Sequence, residues 1–392
     1  MNAMEKGKNY ILFTILRSVV HSNLMSDADK RLMTDDLLKE VIKQATKHDI
    51  AHLIALGVLN NELASEEYKP QLQQIAFLAV YRHERMNGEY QKLCNILEEA
   101  QIPFLPLKGS VIRKYYPEPW MRTSCDIDIL VHEEECERVK SILVDEYDYV
   151  YRGKGSHDIS FFSPNNIHVE LHHNLIEAGI RFESSEVLKS VWDTATVRDG
   201  YSYWYEMSDE MYYFYHIAYM AKHFENGGCG IRPFIDLYIL DDLLEIDVDK
   251  RNTLLEKGKL LKFANAARKL SKVWLANAEQ DLVSKKMEDY ILRGGVYGNS
   301  ENRITLQQQK KGGQVKYVLA KMFIPYNEIK FLYPILQKYR WLTPVMEVRR
   351  WFKFVFYRKE TKRVARELAY NNRVTNSEAE NMKTFLSEIG LY

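Results

Sequence analysis

Two acidic side chains with strand-like spacing offer the clearest chemistry in this chain. Asp126 and Asp128 alternate with Ile127 and Ile129 in the stretch CDIDILV, and such alternation predicts a β-strand. Residues i and i+2 of a strand point to the same face, so the two carboxylates lie side by side. Their charges repel, and a divalent cation would turn that repulsion into attraction. Such oxygen ligands suit Mg²⁺, and a pair of solvated acids is the alternative.

A third carboxylate lies further along the chain, in the stretch IHVELHH. Glu170 stands between Val169 and Leu171, which predicts that it shares one strand face with His168 and His172. On a neighbouring strand, Glu170 would complete a metal-binding triad with the two aspartates. Two alternatives stay open. One is a zinc or iron site on the Glu170 face, although its ligands would spread over about 13 Å. The other is polar alternation on an exposed edge strand.

A glycine-serine pair precedes the acids. Gly109 and Ser110 follow the apolar stretch IPFLPL, which predicts a strand, and they open VIRKYY, which predicts a short helix. Glycine lets the backbone approach a ligand closely, and a helix N-terminus offers free N–H groups to an anion. This arrangement suits phosphate, with an ordinary serine cap as the alternative. Lys108 and Arg122 are candidate phosphate contacts or solvated cations.

A further candidate surface lies on the helix predicted over MYYFYHIAYMAKHF. Tyr212, His216, Tyr219 and His223 recur at i, i+4, i+7 and i+11, so they share a face. Such a face can stack a nucleobase or form a packing seam between domains. Arg232 follows the glycine-rich bend GGCG, from which it would reach a phosphate or form an ion pair.

Taken together, these pieces resemble the nucleotidyltransferase superfamily that includes polymerase β. More narrowly, LKG…YYPEPWMRTSCDIDILV…VELHH is similar to a bacterial nucleotidyltransferase family whose substrates are undefined. The linker from Ser110 to Asp126 is longer than the minimal superfamily form, and the third acid is Glu rather than the commoner Asp. The pieces that carry the resemblance are Leu107-Lys108-Gly109-Ser110, Asp126-Ile127-Asp128-Ile129 and Val169-Glu170-Leu171.

The resemblance implies transfer of a nucleoside monophosphate from a nucleoside triphosphate to an acceptor hydroxyl, with release of pyrophosphate. Asp126, Asp128 and Glu170 would then be catalytic and would bind Mg²⁺, or Mn²⁺ in its place. The acceptor is left open among a small molecule, RNA such as tRNA, and protein. A catalytically silent relative that binds nucleotide or RNA as a sensor or scaffold is the alternative function. The implied nucleotide-binding residues are Lys108, Gly109, Ser110, Arg122, His172, His216, His223 and Arg232.

The surrounding elements predict an α+β fold, with a small mixed-sheet nucleotidyltransferase core embedded in N-terminal and C-terminal α-helical regions. The chain is 46% hydrophobic and 28% charged, a composition that excludes a disordered protein. Its length of 392 residues is enough for two to four domains of ordinary size. Helical periodicity over residues 37–59 and 66–100 predicts long N-terminal helices. We expect four regions: helical 1–100, the α/β core 101–205, a helical substrate- or nucleotide-binding region 206–300, and a basic, aromatic-rich helical region 301–392.

The charge is balanced overall but uneven along the chain. Lys plus Arg equals Asp plus Glu at 54 each, so net charge gives no argument for a polyanionic partner. Residues 310–373 nevertheless hold 16 Lys and Arg against 4 Asp and Glu, a surplus of +12, interleaved with Trp and Phe. We expect these aromatic side chains to pack in a helical core. Nucleic-acid binding is the second interpretation, and contact with a membrane surface is the least favoured.

The cysteines and the hydropathy of the chain indicate the cellular compartment of the protein. No cysteine pair has zinc-site spacing, which indicates free thiols in a reducing compartment. No segment reaches the roughly 18 apolar residues needed to span a bilayer, and no cleavage site follows the apolar run near the N-terminus. We therefore expect a cytoplasmic protein. The cysteines are Cys94, Cys125, Cys136 and Cys229.

Overall fold

A five-stranded mixed sheet surrounded by helices forms the architecture, so the predicted α+β class is confirmed. The structure is a computed structural model that describes residues 3–392 apart from 178, 244, 245, 297 and 357. Side chains are not described for residues 3–6, 331, 353–364 and 376.

The N-terminal region is helical, as predicted, but the helical pattern over residues 37–59 forms two helices instead of one. Thr34 caps α3 by accepting a hydrogen bond from the backbone N–H of Leu37. Asp49 then adopts φ +55°, so one continuous helix over residues 37–59 is wrong. The helices are α1 (Ala3–Val20), α2 (Asp27–Lys30), α3 (Asp35–Lys47), α4 (Ala51–Asn60) and α5 (Lys69–Glu99).

The strands follow as β1 (Phe104–Pro106), β2 (Asp126–Val131), β3 (Val150–Lys154), β4 (Asp158–Phe162), β5 (His168–His172), β6 (Thr196–Val197) and β7 (Tyr205–Glu206). The main sheet has the order β1-β2-β5-β4-β3, and β6 pairs with β7 separately. β5 runs parallel to β2 and antiparallel to β4. Both edges of β5 are therefore paired, and the edge-strand interpretation of its histidines is wrong. Three helices accompany the sheet: α6 (Gly109–Ile112), α7 (Cys136–Ser141) and α8 (Phe182–Leu188).

Alternation along β2 separates two hydrophobic cores. Ile127, Ile129 and Val131 are buried in a core shared with α5 and α7. Leu130, on the other face, belongs to a larger core made with N-terminal helices and with helices that follow the sheet. Asp126 and Asp128 lie on the same face as Leu130, because they precede it by four and two positions along the strand. The two acids therefore face the helical part of the molecule.

The larger core joins the N-terminal helices to those that follow the sheet. The ring of Phe13 in α1 stacks on Trp274 with centroids 4.4 Å apart. Gly57 lets α4 approach α1, since a Cβ there would lie 2.5 Å from Cγ2 of Ile15. The later helices of this core include α9 (Asp209–Phe224), α10 (Arg232–Leu243), α11 (Val248–Lys257), α12 (Leu261–Leu275) and α13 (Leu282–Leu292).

The C-terminal region is also helical, and Gly312 ends its first helix at φ +80°. Its helices are α14 (Ser300–Lys311), α15 (Gln314–Met322), α16 (Tyr326–Leu332), α17 (Ile335–Lys338), α18 (Thr343–Phe356), α19 (Arg358–Asn371) and α20 (Asn376–Glu388). Trp341 and Phe352 are 73% and 58% exposed, so the expected packing of aromatic residues in a helical core is wrong for these two residues. Within the described residues, no helix has the length and apolar composition needed to cross a membrane. The division into four regions stays a prediction.

Part of the basic aromatic stretch lies outside the described residues. This applies to the side chains of Lys353, Phe354, Phe356, Tyr357, Arg358 and Lys359.

Candidate active site

Strands β2 and β5 bring the three predicted carboxylates together. In their parallel register, Asp126 pairs with His168 and Asp128 pairs with Glu170. Ligand atoms of Asp126, His168 and Glu170 all lie within 4.8 Å of one another, and so do those of Asp128, Glu170 and His172. Glu170 belongs to both groups. The three acids thus form one cluster.

The donor atoms of this cluster fit a hard divalent cation. The carboxylates supply the oxygen ligands that Mg²⁺ and Mn²⁺ prefer. Neither group contains both histidines, so the three residues His168, Glu170 and His172 do not make a site by themselves. Nε2 of His168 lies 2.8 Å from Oγ of Ser160, which gives this imidazole a hydrogen-bond partner within the sheet.

Two side chains contact the same oxygen of Asp128. Lys108 Nζ lies 2.9 Å and His172 Nε2 lies 2.8 Å from Asp128 Oδ1. Burial alone would raise the pKa of Asp128, but Lys108 and His172 hold that pKa below its usual value. Burial and the neighbouring Asp128 raise the pKa of Asp126 instead. A bound cation would stabilise the fully ionised pair.

Lys108 adopts a backbone conformation that is unfavourable for a residue with a side chain. Its φ is +47° and its ψ is −123°, which costs about 1–3 kcal/mol. The hydroxyl of Tyr212 donates a hydrogen bond of 2.9 Å to the Lys108 carbonyl. Lys108 Nζ also lies 5.0 Å from the ring centroid of Tyr219. Helix α9 therefore holds this turn and contributes to directing Lys108 toward the acids.

Gly109 and Ser110 border different cavities. Gly109 lines the cavity that contains Asp126 and Asp128, whereas Ser110 lines a second cavity beside Trp204. A Cβ at Gly109 would lie 3.1 Å from Cβ of Ser124, so this close approach favours glycine. Ser124 is the serine that lines the cavity of the acids, and sequence reasoning missed it.

The two predicted arginines line the same cavity but are engaged in ion pairs. Arg122 donates from Nε and Nη2 to the two oxygens of Asp236, at 2.7 and 2.8 Å. Asp236 also accepts a hydrogen bond of 2.6 Å from the hydroxyl of Tyr116. Arg232 lies 2.7 Å from Asp49. Their phosphate-binding roles stay predictions, and the ion pairs join α10 to the core and to the segment after α3.

The predicted face of α9 lines the cavity. Tyr212, His216, Tyr219 and His223 all border it, together with Tyr215, which the spacing argument did not include. His216 Nε2 lies 2.9 Å from the Pro233 carbonyl. Burial lowers the pKa of His223 to about 4, and its Nε2 has no hydrogen-bond partner among the described residues. Whether the face binds a nucleobase stays a prediction, as does the role of the buried His172.

The cavity is also lined by residues that no motif indicates, including His48 and Val296. His48 is fully buried, and the Gln44 amide donates to its Nε2 at 3.1 Å. Its Nδ1 has no partner within the described part of the chain. Burial lowers the pKa of His48 to about 4, so the imidazole is neutral at pH 7. These residues come from distant segments, which local sequence patterns cannot connect.

All four cysteines are free, as predicted, and they differ in exposure. Cys125 is exposed and lines the cavity next to Asp126, while the other three are buried.

Comparison with known proteins places the chain in a family. A family model described as an uncharacterised nucleotidyltransferase matches residues 36–276. This range contains the acids on β2 and β5 and the cavity-lining face of α9. No curated protein and no solved structure matches the chain. The chain belongs to this family of uncharacterised nucleotidyltransferases.

Proposed function

We propose that this family member transfers a nucleoside monophosphate from a nucleoside triphosphate to an acceptor hydroxyl. The observation that carries the proposal is the meeting of Asp126, Asp128 and Glu170 across two parallel strands. These residues would hold a catalytic cation, Mg²⁺ or Mn²⁺, which when bound polarises phosphate oxygens and lowers the pKa of the acceptor hydroxyl.

The proposed reaction exchanges one oxygen for another at the α-phosphorus. The acceptor oxygen forms a bond to this phosphorus, and the bond to the oxygen that bridges the α- and β-phosphates breaks. The electron pair of the broken bond leaves with pyrophosphate, and the hydroxyl proton passes to solvent. Lys108, held by Tyr212 beside the acids, supplies positive charge where the triphosphate would lie.

The remaining cavity residues would bind and orient the nucleotide. Gly109 brings backbone to the cavity wall without a side chain, which permits close approach of a phosphate. Tyr215 and Tyr219 on α9 offer aromatic rings against which a nucleobase can stack.

The direct test is a label-transfer assay. Purified protein is incubated with each α-labelled nucleoside triphosphate, Mg²⁺ or Mn²⁺, and a bacterial lysate separated into RNA, protein and small-molecule fractions. We expect label in one fraction, which identifies the acceptor class. Asp126→Asn combined with Asp128→Asn should abolish this transfer. Asp199→Asn, which removes an exposed carboxylate elsewhere, should transfer label like the wild type.

Two results would contradict the proposal. Transfer that persists in the double variant would show that these acids are not catalytic. Nucleotide binding by calorimetry without transfer to any fraction would favour the alternative function, a silent relative that acts as a sensor or scaffold.

A further inference from the structure

The segment from α15 to α18 exposes a concentration of large apolar side chains. Of 27 exposed large hydrophobic residues in the described part of the chain, 11 fall between residues 315 and 352. They are Val315, Leu319, Met322, Phe323, Leu332, Ile335, Tyr339, Trp341, Val345, Val348 and Phe352. Such concentrations mark contact sites for another surface.

On two helices these side chains form stripes. In α15, Val315, Leu319 and Met322 follow the spacing i, i+4, i+7, and each is at least 42% exposed. In α18, Val345 and Val348 are 55% and 43% exposed at the spacing i, i+3. Each helix therefore turns an apolar stripe toward solvent.

Packing fixes α18 in this orientation, because its opposite face is polar and buried. Glu347 and Arg350 form an ion pair of 2.7 Å with less than a tenth of either side chain exposed. Arg350 also donates to the Met322 carbonyl at 2.6 Å, and the Ile324 N–H donates to Glu347 at 2.8 Å. This network ties α18 to the end of α15 while the valines point outward.

The exposed stripes lie in basic surroundings. Residues 314–356, which span α15–α18, hold 8 Lys and Arg against 2 Glu, a surplus of +6 in a chain whose total charge is zero. Lys316, Lys338, Arg340 and Arg349 are all exposed. An anionic partner therefore complements this surface.

We propose that α15–α18 dock on the surface of an anionic lipid bilayer. The apolar stripes would enter the headgroup region while the cations pair with lipid phosphates, as in interfacial helices. This binding surface lies outside the matched family range and does not depend on nucleotidyl transfer.

Two other occupants fit the surface less well. A twofold dimer through this face would place two strongly basic segments against each other. RNA binds by stacking on aromatic rings, whereas seven of the eleven exposed side chains are aliphatic or Met. Those seven are Val315, Leu319, Met322, Leu332, Ile335, Val345 and Val348.

The test is co-sedimentation of the full chain with vesicles. We expect binding to vesicles of phosphatidylglycerol and phosphatidylcholine, little binding to phosphatidylcholine alone, and weakening by salt. Val345→Ser with Val348→Ser should lower the affinity at least about tenfold. Removing Lys316, Lys338 and Arg340 by substitution with Gln should lower it about fivefold for each cation.

The matched control is Val248→Ser with Leu282→Ser, which removes side chains that are 53% and 71% exposed on α11 and α13. This variant should bind vesicles like the wild type, and equal melting temperatures would show that all variants fold. Unchanged vesicle binding by Val345→Ser with Val348→Ser would overturn the proposal. Binding to an RNA oligonucleotide but not to vesicles would also overturn it, as would a dimer in light scattering without vesicle binding.

Discussion

The hydroxyl of Tyr212 supports the strained turn at Lys108 from outside the acid cluster. Tyr212→Phe removes one buried hydrogen bond, so we expect the free energy of unfolding to fall by about 1 kcal/mol. Lys108 would also be less well directed toward Asp128, so nucleotidyl transfer should slow by about tenfold or more. Urea unfolding and initial rates of label transfer measure the two effects.

Tyr213 provides the control on the same helix, because its hydroxyl donates to Asp241 at 3.0 Å and it does not line the cavity. Tyr213→Phe should lose similar stability and keep its transfer rate. Equal rate losses in both variants would mean that Tyr212 acts only through stability.

His48 makes stability depend on pH. Its pKa is lowered from 6.5 to about 4 by burial, so the unfolded chain binds more protons between these values. The free energy of unfolding therefore falls as the pH drops from 6.5 toward 4, by about 2 kcal/mol between pH 7 and pH 5 for this residue. In His48→Gln, the free energy of unfolding should fall by about 2 kcal/mol less between pH 7 and pH 5 than in the wild type. Urea unfolding at both pH values measures this difference. A loss of stability between pH 7 and pH 5 that is as large in His48→Gln as in the wild type would contradict this prediction.

Residue types alone indicated the acids, because alternation on one strand fixes the relation of Asp126 to Asp128. Partners that come from distant elements could not be predicted in the same way. Arg122 has the chemistry of a phosphate contact, and its pairing with Asp236 across 114 residues depends on how α10 packs. Tyr215 lies three residues after Tyr212 and four before Tyr219, so helical spacing could have indicated it, whereas Ser124 has no such signal.

At the scale of elements, the crossing of α1 and α4 depends on a glycine. Gly57→Ala would gain about 1 kcal/mol of helix propensity, but the new Cβ would lie 2.5 Å from Ile15 Cγ2 and 2.8 Å from Val19 Cγ2. Overpacking costs about 1–3 kcal/mol, so we expect a net loss in the free energy of unfolding. Gly88→Ala in α5, where nothing lies within 4 Å, should instead gain about 1 kcal/mol. Equal gains in both variants would contradict this close crossing.

The Arg122–Asp236 pair joins the segment before β2 to α10. Asp236→Ala leaves the buried guanidinium without its carboxylate, so the free energy of unfolding should fall by about 3–5 kcal/mol. Chemical denaturation measures the loss. Glu186→Ala, which breaks an exposed ion pair with Lys189, should change stability little by comparison. A loss at Asp236 no larger than that at Glu186 would show that the pair is not a structural link.

Elements with clear periodicity were predictable, and their partners were not. The alternation of β2 and β5 and the helical repeats of α5 and α9 are confirmed. The parallel pairing of β2 with β5 was not predicted, because alternation assigns side chains to a face and does not set the direction of a neighbouring strand. The break at Asp49 was missed because an Asp with positive φ leaves no periodic signal.

At the scale of the whole molecule, positive charge is concentrated in residues 310–373 and the rest of the chain balances it. We therefore expect retention on a cation exchanger at pH 7 despite zero net charge. Substituting Lys316, Lys338 and Arg340 with Gln should lower the salt concentration needed for elution. Substituting the exposed Lys39, Lys43 and Lys47 of α3 with Gln makes the same change in net charge and should alter elution less. Equal shifts would mean that retention follows net charge rather than this segment.

The exposure of Cys125 allows selective chemical labelling of the cavity that contains Asp126 and Asp128. Burial raises the pKa of the Cys94 and Cys229 thiols to about 12, and Cys136 is also buried with a raised pKa. Thiol reagents require an accessible thiolate, so a maleimide fluorophore would attach at Cys125, one residue from Asp126. Its emission would then report nucleotide entry in real time, and a tethered fragment library would screen for inhibitors held against the acids.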